Sequence, residues 1–176
     1  MEKIFLTFIF LIFSQACFAE MLLYGEAQYN VESALNEVKQ GLKTKINSKN
    51  LIPYLVDIYR DENLHALLSG NINLKDRELA MFSVGTYGVV YKEDPLHAFY
   101  YSSLGILEYI DVRSSGVYPY RSYQYDIKGN LVNMGLRVSK QEAYLYSPDG
   151  VLLAHWIGEN GYNENGEIIM TRKFVE

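Results

Sequence analysis

One short pattern is repeated in the last third of the chain and constrains its fold more than any other feature. Three segments consist of Tyr, three variable residues, Gly, one more residue and two aliphatic residues. They begin at Tyr125, Tyr146 and Tyr162, at offsets of 21 and 16 residues. A strand ending in Tyr, a turn in which Gly takes a positive φ, and a returning aliphatic strand make a β-hairpin. We therefore predict an antiparallel β-meander of about five or six strands over residues 115–176.

The part of the chain before this meander, residues 20–114, has apolar residues at helical spacing. The first set recurs at three and four residues and comprises Val31, Ala34, Leu35, Val38, Leu42 and Ile46. Further helices are predicted to start near residues 50, 76 and 95, the last with Asp94 as N-cap and Pro95 in the first turn. These four helices are expected to pair into two antiparallel helical hairpins. The predicted fold class is therefore α+β, with N-terminal helical hairpins followed by a C-terminal antiparallel β-meander.

Two segments resemble known repeat families. Residues 78–101, with the small residues Ala80, Gly85 and Ala98, resemble a tetratricopeptide or Sel1-type helical hairpin. Within residues 123–169, the segment Tyr123–Leu131 resembles one unit of the YD repeats of bacterial secreted shells, and the two later units resemble MORN-type Tyr-Asn-Gly repeats. The β resemblance implies an interaction or shell-forming module and carries over no catalytic residues.

The first 19 residues predict a secretory signal peptide. A short n-region, Met1–Lys3, precedes the apolar run Ile4–Phe13, and the small residues Cys17 and Ala19 occupy positions −3 and −1 before Glu20. A membrane anchor would need about 17–25 apolar residues. In a second interpretation Cys17 is lipidated and tethers the protein to a membrane. The predicted location is periplasmic or secreted.

Cysteine and charge content exclude several functional classes. Cys17 is the only cysteine and lies in the leader, so the exported chain has no disulfide and no cysteine-ligated metal. The formal net charge is −5, and residues 20–111 carry 13 acidic residues against 8 basic ones. An acidic chain without a basic stripe argues against nucleic acid as a partner. Export without cysteines is typical of a bacterial envelope protein.

Tyrosine is the main aromatic residue after the leader, because all 16 tyrosines but only three of the 8 phenylalanines lie there. Tyr recurs at i and i+2 in two segments, which places pairs on one face of neighbouring strands. Such a face suits protein or glycan binding. The candidate binding residues are Tyr118, Tyr120, Tyr123, Tyr125, Tyr144, Tyr146 and Trp156. The alternative is that these rings fill a half-wet core between helices and sheet.

Candidate catalytic residues are few. The three histidines lack the spacing of a metal motif, and no cofactor-binding motif occurs, so neither a metal nor a cofactor is predicted. His155 with Glu142 or Glu159 would make an acid/base pair if the two groups met in a deep pocket.

These observations predict an exported bacterial interaction module that binds a protein or a cell-envelope glycan through its tyrosine-rich sheet and is not an enzyme. Two alternatives stay open. One is an envelope hydrolase with a Glu/His site on the sheet. The other is an assembly component that self-associates through an unpaired strand edge near Ile168–Phe174. The oligomeric state is left open, and a membrane is a partner only if Cys17 is lipidated.

Overall fold

The computed structural model describes residues 28–69 and 74–175, and the described residues from Val31 onward belong to one compact unit. The predicted signal peptide and Cys17 lie outside the described residues. The described elements are α1 (Val31–Lys39), a 3-10 helix (Ser48–Tyr54), α2 (Arg60–Ser69), β1 (Arg77–Phe82), β2 (Tyr87–Tyr91), β3 (His97–Tyr101), β4 (Leu107–Arg113), β5 (Tyr120–Asp126), β6 (Leu131–Arg137), β7 (Glu142–Tyr146), β8 (Leu152–Ile157), β9 (Asn160–Tyr162) and β10 (Ile168–Val175).

The ten strands form a closed antiparallel barrel. Each strand pairs with its neighbours in sequence, and β10 also pairs with β1 in the register Ala80 to Phe174, which closes the sheet. β10 is therefore bonded on both edges, to β9 and to β1. The unpaired edge near Ile168–Phe174 that the assembly hypothesis requires is not found in this described strand.

The prediction of helical hairpins followed by a separate meander is wrong. Residues 77–113, predicted to hold two helices, form β1 to β4, and the strands after residue 115 close the barrel together with them. Val89 and Val90 are β-branched and Gly88 is a poor helix former, so this stretch favours a strand. Asp94 does not cap a helix: it lies in the β2–β3 turn, where its amide donates to the carbonyl of Tyr91 at 3.0 Å.

The helices that do form are short and precede the barrel. α1 starts where the apolar spacing predicts and buries Ala34 and Val38, with contacts to β5, β6 and β7. The helix predicted near residue 50 is a 3-10 helix that Asn47 caps by accepting a hydrogen bond from the Lys49 amide at 3.1 Å. No helix in the described ranges is long and apolar enough to cross a membrane.

Five hairpin turns share one set of backbone hydrogen bonds. In each, the first amide donates to the carbonyl four residues later, and a positive-φ Gly donates back to the first carbonyl; this is a type I turn with a G1 bulge. The turns span residues 82–86, 102–106, 126–130, 147–151 and 163–167. The last three are the hairpins that the Tyr-Gly pattern predicts, and they are confirmed. The first two fall in the region predicted as helical.

The outer face of the barrel carries the apolar core against which the helical segment packs. Tyr146 is fully buried, and its hydroxyl donates to the Val31 carbonyl at 2.6 Å. The Tyr123 hydroxyl donates to the carbonyls of Val38 and Gln40, and the Tyr125 hydroxyl to that of Lys43. Because each hydroxyl has a partner, these rings bury their apolar area without leaving a polar atom unsatisfied.

Candidate functional site

The inner face of the barrel lines a cavity of about 350 Å³. Alternate residues of β4 point inward, so Tyr109, Asp111 and Arg113 border the cavity while Ile110 is buried on the outer side. Six aromatic residues border it: Phe82, Tyr100, Tyr109, Tyr120, Tyr144 and Trp156. The cavity therefore combines aromatic walls with charged groups.

The strand register arranges the polar lining in rows. Asp111 of β4 pairs with Gln124 of β5, which pairs with Asn133 of β6. The Asn133 Nδ2 donates to the Gln124 Oε1 at 2.6 Å, so these two amides hold each other. In the next row Arg113 pairs with Ser122, and Ser122 pairs with Gly135. A Cβ at Gly135 would lie 2.9 Å from the Tyr144 carbonyl oxygen, so a glycine permits this close approach.

Three arginines border the cavity: Arg113, Arg137 and Arg172. The Arg172 side chain is fixed, since its Nε and Nη2 donate to the Gly158 carbonyl at 3.1 and 2.8 Å. Its guanidinium lies 4.7 Å from the centre of the Trp156 ring system and 4.9 Å from that of Phe174. Burial first and Arg137 second lower the pKa of Arg172 to about 10. Arg172 therefore completes an aromatic and cationic wall.

Arg113 and Arg137 make fewer hydrogen bonds than Arg172 does. Among the described residues, Arg113 makes one hydrogen bond, from Nη1 to the Pro95 carbonyl at 3.4 Å, and Arg137 makes one, from Nη2 to the Lys140 carbonyl at 3.1 Å. The Nε atoms of both are buried without a hydrogen-bond partner in this part of the chain. A buried charged donor left unpaired costs about 1–3 kcal/mol or more.

Asp111 is a carboxylate that Arg113 and Arg137 influence electrostatically. Burial raises its pKa to about 6, although Arg113, Arg137 and a hydrogen bond from Tyr100 act in the opposite direction. The Tyr100 hydroxyl lies 3.5 Å from Oδ2 of Asp111. Glu108 also borders the cavity. Three guanidinium groups against two carboxyl groups leave the lining with an excess of positive charge.

The seven predicted binding residues do not share one face. Tyr123, Tyr125, Tyr144 and Tyr146 lie on the outer face and are at most 8% exposed. The hydroxyls of three of them donate hydrogen bonds to the helical segment. This arrangement corresponds to the alternative in which the rings fill a core between helices and sheet. Tyr120 and Trp156 line the inner cavity, and Tyr144 also borders it, although its ring stacks on that of His155. Tyr118 is 47% exposed, and its ring centre lies 5.3 Å from that of Tyr120. An exposed tyrosine sheet is thus not seen in this set.

The structure brings together the Glu142 and His155 of the acid/base hypothesis. His155 Nε2 lies 3.1 Å from Oε1 of Glu142, which also accepts a hydrogen bond from the Tyr144 hydroxyl at 3.1 Å. The rings of Tyr144 and His155 stack at 4.2 Å. His155 borders an open groove on the outer surface, but Glu142 does not line it. The described residues hold no group of three or more potential metal ligands.

Sequence reasoning missed the inner arginines and Asp111. A signal for them exists, because Tyr109, Asp111 and Arg113 alternate with Ile110 and Val112, as in a half-buried strand. Because this segment was predicted to be the end of a helix, its alternation was not interpreted as a strand. The arginines of β6 and β10 lie in predicted strands, but nothing in their own neighbourhoods indicates that they meet.

No protein-family model, curated protein or solved structure matches this chain. The chemistry of the cavity therefore carries the functional argument, because a barrel architecture alone does not specify an activity.

Proposed function

We propose that this protein is a non-catalytic binding protein that holds a small organic molecule inside its barrel. The observation that carries the proposal is the cavity of about 350 Å³ with aromatic walls and a few polar groups. Ligand pockets commonly measure about 300–1,000 Å³ and combine apolar walls with a few placed polar groups. The cavity meets both criteria.

The width of the barrel supports the proposal. Eight strands enclose an interior that side chains fill or that holds one small ligand, and the diameter grows with strand number. Ten strands therefore leave more room than side chains of ordinary size need. The small side chain of Ala143 on the inner face adds to that room.

We favour ligand binding in the cavity over the functions that the sequence alone predicts. Export through the predicted signal peptide stays a prediction and is compatible with ligand binding. Contact of a tyrosine-rich sheet with a protein or glycan also stays a prediction, and four of its rings are covered by other parts of the chain or by one another. A Glu/His hydrolase stays a prediction as well, with Glu142 and His155 on the opposite face of the sheet from the cavity.

The proposal is tested by filling the cavity. Leu145 lines the cavity on β7, whereas Leu153 on β8 is 37% exposed, so Leu145→Trp and Leu153→Trp make a matched pair. The probe is N-phenyl-1-naphthylamine, a neutral aromatic amine whose fluorescence rises in apolar surroundings. We expect saturable binding to the wild type and to Leu153→Trp, and at least about tenfold weaker binding to Leu145→Trp.

Two results would overturn the proposal. One is the absence of saturable probe binding to the wild type, and the other is unchanged affinity in a folded Leu145→Trp variant. Thermal unfolding of each variant shows whether it is folded. If Leu145→Trp does not fold, Ala143→Leu fills the same cavity with a smaller increase in volume and carries the test.

A further inference from the structure

We infer that the ligand is an organic anion whose carboxylate, sulfonate or phosphate group is bound by Arg113 and Arg137, with an apolar body against the aromatic wall. This inference rests on the proposed function and names the ligand class of the same cavity. The two arginines flank β5 on opposite sides, because Arg113 pairs with Ser122 and Arg137 pairs with Tyr120. Both border the cavity, Arg113 from β4 and Arg137 from β6.

Unused hydrogen-bond donors are the first argument. A guanidinium offers five N–H donors. Arg113 and Arg137 each use one of them within the described part of the chain, and in both the Nε is buried without a partner. Buried donors are paired in the great majority of cases, so an unpaired buried donor in a cavity requires an explanation. An anion supplies acceptors for several N–H groups at once.

Arg77 shows how this fold satisfies an arginine that has a structural role. Its side chain is 3% exposed and lies within 3.2 Å of Glu62 and 2.9 Å of Asp76. Asn63 accepts another of its hydrogen bonds at 3.0 Å. By contrast, no ion pair within 4.0 Å involves Arg113, Arg137 or Arg172 among the described residues. The inner arginines therefore lack the directly contacting carboxylates that Arg77 has.

The charge balance of the cavity is the second argument. Asp111 and Glu108 do not neutralise three guanidinium groups. Asp111 also accepts from Tyr100, and the partial burial of its carboxyl group favours the protonated form, which increases the positive excess at mildly acidic pH. A cavity with net positive charge and low dielectric attracts an anion and disfavours a cation.

The aromatic wall defines the rest of the ligand. Trp156 is 6% exposed, and its ring centre lies 6.1 Å from that of Phe82 in an edge-to-face arrangement. The guanidinium of Arg113 lies over the Tyr120 ring, 5.1 Å from the ring centre. A ligand that contacts both an arginine and these rings needs a flat or apolar body attached to its acidic group.

The test compares two probes that share one ring system. 8-Anilinonaphthalene-1-sulfonate is N-phenyl-1-naphthylamine with an added sulfonate, so the ratio of their dissociation constants isolates the acidic group. We expect the wild type to bind the sulfonate at least about tenfold more tightly than the neutral amine. Arg137→Gln and Arg113→Gln should each remove most of that preference, measured as the ratio of the two dissociation constants. Arg60→Gln, at an exposed arginine, should keep it.

The outcomes separate this inference from the proposed function. If neither probe binds the folded wild type, the proposed function and the inference both fail. If the neutral amine binds as tightly as the sulfonate, or if both glutamine variants keep the full preference, the anion inference is overturned and the binding cavity stands. Isothermal titration calorimetry gives the stoichiometry, and a value near one excludes diffuse binding to exposed surface. Should one variant not fold, the other carries the test.

Discussion

Asn63 lies fully buried between two charged groups of opposite sign. Its Nδ2 donates to both carboxylate oxygens of Asp57, at 3.3 and 3.0 Å, and its Oδ1 accepts from Arg77 Nη1 at 3.0 Å. Asp57 also accepts from the Tyr87 hydroxyl at 2.5 Å. This one amide therefore joins the loop before α2, α2 itself and strands β1 and β2.

Replacing Asn63 by Ala tests how much this network contributes to stability. The substitution leaves a buried carboxylate and a buried guanidinium each short of a partner, so we expect the free energy of unfolding to fall by about 3–5 kcal/mol. Urea denaturation at neutral pH measures it. Asn165→Ala, at an exposed turn position, is the control and should change the value by less than about 1 kcal/mol. A loss of less than about 1 kcal/mol in Asn63→Ala would mean that the network does not stabilise the fold.

At the scale of elements, one turn type is used five times and the barrel is assembled from its hairpins. Four of the turns begin with Ser, Asp or Asn, whose side-chain oxygen accepts backbone amides within the turn: Ser102, Asp126, Ser147 and Asn163. The turn at residues 126–130 also binds the segment before it, because Ile46 donates to the Gly129 carbonyl at 2.8 Å and Leu131 donates to the Thr44 carbonyl at 3.0 Å.

Comparing Gly129→Ala with Gly85→Ala distinguishes the cost of backbone strain in the turn from the cost of disturbing its contact with residues 44–46. Both glycines have positive φ, +82° and +86°, so each substitution costs about 1 kcal/mol of strain. A Cβ at Gly129 would in addition overlap with the carbonyl oxygen of Ile46, whereas a Cβ at Gly85 meets nothing within 4 Å. We expect thermal and urea unfolding to show a loss of about 1 kcal/mol for Gly85→Ala and about 3 kcal/mol for Gly129→Ala. Equal losses would contradict the docking role of residues 44–46.

The same turns explain why only part of the fold was predictable. Asp149–Gly150 and Asn165–Gly166 lie between aliphatic and aromatic strands and identify their hairpins locally. Tyr101 to Leu107 carries the same Tyr-Gly spacing, but Leu96, Phe99, Tyr100, Leu104 and Leu107 also match a helical stripe. Short apolar runs satisfy both periodicities, and the choice between them depends on strand partners far along the chain.

At the scale of the whole molecule, closure of the sheet encloses the half-buried carboxyl group of Asp111. Tyr100 of β3, Arg113 of β4 and Arg137 of β6 act on its carboxyl group. Its pKa is raised to about 6 from the ordinary value of 3.8. The folded state therefore binds this proton more tightly than the unfolded state. The corresponding stability is complete below about pH 4 and is lost as the pH rises through about 6.

Asp111→Asn removes this titration and tests the sign of its effect on the free energy of unfolding. The free energy of unfolding of the wild type minus that of Asp111→Asn should fall by about 2–3 kcal/mol between about pH 4 and about pH 7. Urea denaturation across that range measures the difference. Asp61→Asn, at an almost fully exposed carboxylate, controls for the loss of one charge. A difference that stays constant or rises with pH would show that Asp111 is not held in a protonation-favouring interior.

The sequence by itself determined three hairpin turns, the start of the first helix and the general class of an acidic, tyrosine-rich chain, because each of these depends on neighbouring residues. Tertiary structure alone decided the closure of β1 on β10, the burial of Tyr123 and Tyr146 against the helical segment, and the meeting of Arg113 with Arg137. The physical reason is that strand closure selects the face on which every alternate residue lies. A local pattern identifies two faces, but only the closed barrel determines which of them surrounds a cavity.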